Sequence, residues 1–187
     1  MLYPKLFNIK KNHFVIKLLM GISILIAIIC FLINLLVDNR FYWSIISIFG
    51  IVYIWVTTMY SIKKNVNIAS HVAVQMICTS ILVVIIDLVI GFSGWSINFA
   101  IPIITMTANT TIFILTIVSR KKYLKYVIYE LIIFLFSMLP LLLVLFKMID
   151  KILFVCISTG IAILNLLFVI CLCGKDVKEE VKRRFHL

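Results

Sequence analysis

The chain has 187 residues, 64% of them hydrophobic and 13% charged, with a mean hydropathy of +1.22 and a formal net charge of +11. A soluble domain of this length has too much surface per unit volume to hide so much apolar area, which excludes an ordinary water-soluble enzyme or binding module. The positive charge could suit nucleic acid, but its placement along the chain assigns it to membrane topology instead.

Six uncharged or nearly uncharged apolar runs cover 18–37, 41–62, 72–90, 97–118, 127–146 and 152–173. Each has roughly the 20 residues that a ~30 Å hydrocarbon core requires. Lipid offers no partner for backbone N–H and C=O groups, so every span is expected to be helical. The alternating ten-residue segments of a membrane barrel are absent. The first run is too long for a signal-peptide core and no small-x-small cleavage site follows it, so it reads as a retained anchor. The expected fold is all-α: a six-helix transmembrane bundle of sequential antiparallel hairpins, because the connections at 38–40, 91–96 and 147–151 are very short.

The basic residues fix the expected orientation. Lys5, Lys10, Lys11 and Lys17 lie in the arm at 1–17, Lys63 and Lys64 follow span two, and Arg120, Lys121, Lys122 and Lys125 follow span four. Lys175, Lys178, Lys182, Arg183 and Arg184 lie in the tail at 174–187. Fifteen of the eighteen Lys and Arg therefore fall on one side of a six-span chain, with only Arg40, Lys147 and Lys151 on the other. The positive-inside rule puts both termini on the cytoplasmic side of the membrane (N-in, C-in). Near the surface each such residue is worth about 1 kcal/mol of attraction to anionic headgroups. The lipid bilayer is thus the first expected partner, with a membrane-protein partner or a homo-oligomer as further possibilities; no nucleic acid is expected.

Polar residues inside the runs are the candidate functional groups, because they are costly to insert. Asp87 sits in span three, one turn before Gly91 and the external connection Gly91-Phe-Ser-Gly-Trp-Ser96. A carboxylate at the bilayer centre costs about 2.5–3.5 kcal/mol on insertion scales. No span holds a Lys or Arg to pair with it, so neutral donors such as Trp95, Ser96 or Asn98 are its expected partners, or it reaches the interface, or it stays protonated. It serves either as a cap for the tight turn or as an ion, proton or ligand contact near an external vestibule.

Span four is the most patterned. At 100° per residue, Asn98, Pro102, Thr105, Asn109 and Thr116 fall within about 60° of arc. Such a stripe either hydrogen-bonds neighbouring helices, at about 0.6 kcal/mol per contact, or lines a hydrated path, with Pro102 freeing a backbone carbonyl toward it. Pro140 is expected to kink span five in a similar way. Glu130 is a secondary candidate: it lies one turn inside span five, beside Tyr126 and Tyr129, and can snorkel toward Arg120–Lys125. His71 and Gln75 share a face of span three near the cytoplasmic side.

Two hairpins echo each other. Trp43-Ser44-Ile45 opens span two and Ser61-Ile-Lys-Lys64 closes it; Trp95-Ser96-Ile97 opens span four and Ser119-Arg-Lys-Lys122 closes it. A parallel repeat would look like this. Trp at one interface and Lys at the other is also what belt chemistry alone selects. The tail reads as a helix continuing from span six, with Val177, Val181 and Phe185 on one face and Lys175/Glu179 and Glu180/Arg184 at pairing distance. It is suited to lie on the inner leaflet or dock a partner.

The signals for chemistry are few. Cys30, Cys78, Cys156, Cys171 and Cys173 form no C-x-x-C pair and read as small apolar filler, Cys171 and Cys173 at the membrane edge. No metal-ligand spacing, zincin, hydrolase-elbow or phosphate-loop motif is present. No catalytic residue, metal or cofactor is expected, and Asp87 and Glu130 lie near opposite faces, too far apart to act as an acid/base pair.

Asp87-Leu-Val-Ile-Gly-Phe-Ser-Gly-Trp-Ser-Ile-Asn-Phe-Ala-Ile-Pro102, then Asn109, then Arg120-Lys-Lys-Tyr123, resembles an uncharacterised family (a domain of unknown function) of small bacterial polytopic membrane proteins. The resemblance covers about residues 40–173, and its Gly-Trp-Ser…Pro core is the distinctive part. Relatives often carry a zinc ribbon with C-x-x-C pairs ahead of the spans, and no such pair occurs here, so an activity resting on one is not carried over. The resemblance implies that Asp87–Pro102 is the defining segment, and it brings no known activity. The functional expectation is a non-enzymatic membrane protein, an accessory subunit or an immunity- or resistance-type factor acting through a protein or lipid partner. The alternative is a small transporter or channel using Asp87 and the polar face of span four.

Overall fold

The computed structural model describes residues 13–37, 42–62, 67–118, 127–146, 149 and 151–185. Among these residues every regular element is a helix and no strand occurs. Six helices follow in order: α1 His13–Val37, α2 Trp43–Ile62, α3 Ile68–Ile90, α4 Ile101–Val118, α5 Val127–Leu145 and α6 Ile152–Phe185. All six are long and apolar enough to cross a membrane. The protein is an all-α, multi-pass membrane protein.

The helix starts differ most from the hydropathy reading. α1 and α3 begin four or five residues earlier than their apolar runs, because a helix continues through the polar interface where hydropathy has already dropped. α6 runs unbroken to Phe185, so the tail continues span six as a helix, as its sequence predicts. Span four is not one α-helix: a π-helical turn, Ser96–Ala100, precedes α4, and the Ile101 N–H reaches five residues back to the Ser96 carbonyl. Pro102 explains the tolerance for this register. Pro has no N–H to donate and is accommodated in the first turn of a helix, and the π turn lets α4 start afresh just before it.

The chain divides into two compact units, and the division falls inside α2 between Val52 and Tyr53. In the first unit, α1 exposes apolar side chains along nearly its whole length, as a lipid-facing helix does, and Asn34 is its buried polar residue at 1% exposure. In the second unit, α4 packs against α3, α5 and α6, and α5 also packs against α3 and α6. The α4–α6 pairs Thr105/Ser158 and Phe113/Phe168 advance together along both chains, so α4 and α6 run parallel, with α5 antiparallel to both. Ala69, Ala73 and Met76 of α3 meet Ala108 and Ile112 of α4, Ile133 of α5 and Val169 of α6 in the main apolar core. Small residues on α3 let the helices approach closely, which matters in lipid because contact rather than water exclusion holds helices together.

Candidate functional site

α3 ends in a tight, heavily bonded turn. Gly91 adopts a left-handed conformation with φ of 113°. Its N–H bonds to the Leu88 carbonyl at 3.3 Å, and the Phe92 N–H bonds to the Asp87 carbonyl at 2.8 Å. This paired arrangement satisfies the last carbonyls of a helix. Phe92 follows with φ of 42° and Gly94 with φ of 75°. Left-handed backbone suits Gly, but for Phe it costs roughly 1–2 kcal/mol, so something must hold the turn in place.

That holder is the Asp87 carboxyl group, which is fully buried. Oδ1 accepts the Ser93 N–H at 3.0 Å and the Ser93 hydroxyl at 3.2 Å. Oδ2 accepts the Ser96 N–H at 3.2 Å and the Ser96 hydroxyl at 2.6 Å. Four donors on two oxygens, with no cation among them, make Asp87 a clasp between the end of α3 and the helical start that leads into α4. Of the donors expected from the sequence, Ser96 takes this role. Trp95 and Asn98 do not: Trp95 is 36% exposed, and the Asn98 amide donates to the Gly94 carbonyl at 2.8 Å. Ser93 is the donor the sequence reading missed; its only signal was a hydroxyl inside a short Gly-flanked turn.

The polar stripe of span four is fully buried. Asn98 is 8% exposed, Thr105 0%, Asn109 1% and Thr116 2%; Pro102 is buried with them. Asn98 Oδ1 accepts the Lys151 N–H at 3.1 Å, capping the start of α6. Thr105 Oγ1 meets Ser158 Oγ of α6 at 2.7 Å. Asn109 Nδ2 donates to Ser137 Oγ of α5 at 2.8 Å, and the Asn109 carbonyl accepts Asn165 Nδ2 of α6 at 3.2 Å. The stripe therefore faces the α5–α6 pair, and its side chains are engaged with α5, α6 and the backbone. Ser137, Ser158 and Asn165 complete the seam. They were not singled out beforehand because single Ser or Asn residues in an apolar run show no face of their own.

A second polar seam joins α2 to α3 within the second unit. Tyr53 OH meets Thr79 Oγ1 at 3.3 Å and accepts from Gln75 Nε2, and Tyr60 OH meets Ser70 Oγ. Ser61 Oγ donates to the Thr57 carbonyl at 2.7 Å, so His71 Nε2 is the donor in its 2.8 Å contact with Ser61 Oγ. His71 and Gln75 do share one face, and it is the face turned to α2.

Glu130 is buried at 3% exposure in the first turn of α5. Its expected neighbours at 120–126, like Arg40 and Lys147 and the side chains of the tail, lie outside the described residues. Pro140 is buried within α5, which continues helically through it. Among the described residues no three His, Cys, Asp or Glu side chains converge on a possible metal position. Cys30, Cys78, Cys156 and Cys171 are free thiols.

No curated protein and no solved structure matches the chain. A family model does, and it extends beyond the 40–173 stretch that carried the resemblance. Residues 3–187 match the family of unknown function DUF6320, and the chain belongs to that family.

Proposed function

We propose that the protein is a non-enzymatic component of a bacterial cytoplasmic membrane, with both termini inside, and that it works through a protein or lipid partner. The role is that of an accessory subunit or of a factor protecting against a membrane-active agent. The orientation rests on the fifteen-to-three distribution of Lys and Arg along the chain.

One observation carries the functional reading: the Asp87 carboxyl group and the polar stripe of α4 are committed to partners within the protein. The Asp87 oxygens are taken by Ser93 and Ser96, Thr105 by Ser158 and Asn109 by Ser137. A solute path needs polar groups that face a lumen and can exchange partners with what passes. Groups closed on each other instead pin helices, which suits a scaffold that presents a surface.

Extraction from native membranes in a mild detergent tests this reading. A second chain in fixed stoichiometry, retained through size-exclusion chromatography, is the expected result. A lone chain whose proteoliposomes conduct an ion or solute, with that flux abolished in Asp87→Asn while assembly is kept, would overturn it.

A further inference from the structure

The turn between α3 and the π-helical segment presents an unusual surface. Phe92 is 47% exposed and Trp95 36% exposed, while Leu88 and Ile90 on the last turn of α3 and Phe99 just before α4 are 57%, 56% and 36% exposed. Phe92 combines two costs that a water-facing loop would avoid: a left-handed backbone at φ 42° and an uncovered aromatic ring. Gly or Asn would make the same turn without either cost. The four-donor grip of Asp87 on Ser93 and Ser96 brackets Phe92 and holds its backbone in that state.

We infer that this turn is a rigid interfacial foot, with Phe92 and Trp95 seated in the outer headgroup–acyl boundary of the bilayer and not in water. The occupant of the patch is lipid, because the patch is continuous with the lipid-facing surfaces of two membrane spans: Leu88 and Ile90 lead down α3, and Phe99 of the π-helical turn leads to Ile103 on α4. Aromatic rings favour that zone, where one part of the ring is wet and the other apolar. Asp87 lies on the other side of the turn, buried, so the same six residues show a ring face to lipid and a hydroxyl and N–H face to the carboxyl group. The inference rests on the multi-pass placement and, for the side of the bilayer, on the proposed orientation.

Tryptophan fluorescence in phosphatidylcholine vesicles tests it. Subtracting the emission of Trp95→Phe from that of the wild type isolates Trp95 without removing Trp43 or Trp55. The expected Trp95 emission is blue-shifted. It is quenched most by lipids brominated near the headgroup end of the chain and several-fold less by aqueous iodide than free tryptophan is. Phe92→Ser, with helicity retained, is expected to shift that emission to the red and restore iodide quenching. Red emission quenched freely by iodide in the wild type would place the turn in water and overturn the inference. Quenching by neither reagent would mean that protein covers the turn and would overturn it equally, as would a Phe92→Ser spectrum identical to the wild type.

Discussion

Asn34 Oδ1 accepts the backbone N–H of Ser44 at 3.0 Å, tying the end of α1 to the first turn of α2 ten residues later. Asp87 does the same for Ser96 nine residues later, between α3 and the start of the next helix. Asn98 repeats the device at longer range on Lys151, beside the start of α6. All three even-numbered spans thus have a backbone N–H at their opening taken by an Asp or Asn side chain from another segment. A helix leaves four N–H groups without internal partners at its start, and near lipid water does not reliably satisfy them. The Trp-Ser-Ile echo is therefore more than belt chemistry: in both copies the Ser is buried, at 1% and 0% exposure, and its N–H is captured.

The Asn34 cap is testable through its acceptor. Asn34→Ala leaves the Ser44 N–H without its oxygen and is expected to cost about 1–2 kcal/mol. Asn34→Asp keeps an acceptor at the same place and is expected to recover most of the loss. Thermal unfolding in a mild detergent, followed by circular dichroism, reads both.

The Asp87 clasp predicts coupling. Asp87→Asn replaces one acceptor oxygen by an NH2 group facing two donors. Ser96→Ala removes the shortest of the four bonds, at 2.6 Å. Bonds to a carboxylate are worth about 1.5–3 kcal/mol each, so both variants lower the melting temperature. The double variant is expected to lose clearly less than the sum, with a coupling of at least ~1 kcal/mol in a double-mutant cycle. Simple additivity would show that Ser96 and Asp87 act separately.

Gly94 predicts a backbone effect. Its φ is +75°, and a Cβ there would lie 3.3 Å from Asn98 Nδ2. Gly94→Ala is expected to cost about 1–2 kcal/mol from the left-handed backbone, with more from displacing Asn98 and, through it, the cap on Lys151. Gly50→Ala in α2 has open space around the new methyl group and no unusual φ. It is expected to be neutral or stabilising, because Ala is favoured over Gly inside a helix by up to about 1 kcal/mol.

The buried stripe predicts inaccessibility. Cysteine introduced at Asn98, Thr105 or Asn109 is expected to resist a membrane-impermeant thiosulfonate reagent in sealed vesicles from either side. Labelling at all three would show a hydrated path along α4 in place of a closed seam.

What could be read from residues alone depended on how often a signal repeats. Twenty-residue apolar runs repeat their message at every position, so the six spans were legible. The face of span four was legible because Asn98, Pro102, Thr105, Asn109 and Thr116 recur at helical spacing. Asp87 was legible because an acidic group in an apolar run is rare and the turn beside it is rich in donors. Asn34, Ser137 and Ser158 were not: each is a single small polar residue whose meaning depends on what packs opposite. The π turn was also hidden, because a one-residue change of register leaves composition unchanged and shows only when the Ile101 N–H is seen to reach Ser96.

Asn165 offers the sharpest contrast within one seam. Its Nδ2 donates to the Asn109 carbonyl at 3.2 Å, but its Oδ1 is buried with no hydrogen-bond partner among the described residues. A buried acceptor without a partner costs about 1–3 kcal/mol of desolvation. Asn165→Leu removes that acceptor at the expense of one long hydrogen bond, and the Asn109 carbonyl keeps its place in the α4 ladder. The substitution is therefore expected to change stability by no more than about 0.5 kcal/mol, or to raise it. Asn109→Leu removes two donors at 2.8 Å, to the Thr105 carbonyl and to Ser137 Oγ, and is expected to cost about 1–2 kcal/mol. Unfolding of the two variants in the same detergent decides the matter. Equal losses would mean that Asn165 Oδ1 engages a donor as firmly as Asn109 does, and that the seam at this level holds something besides α4, α5 and α6.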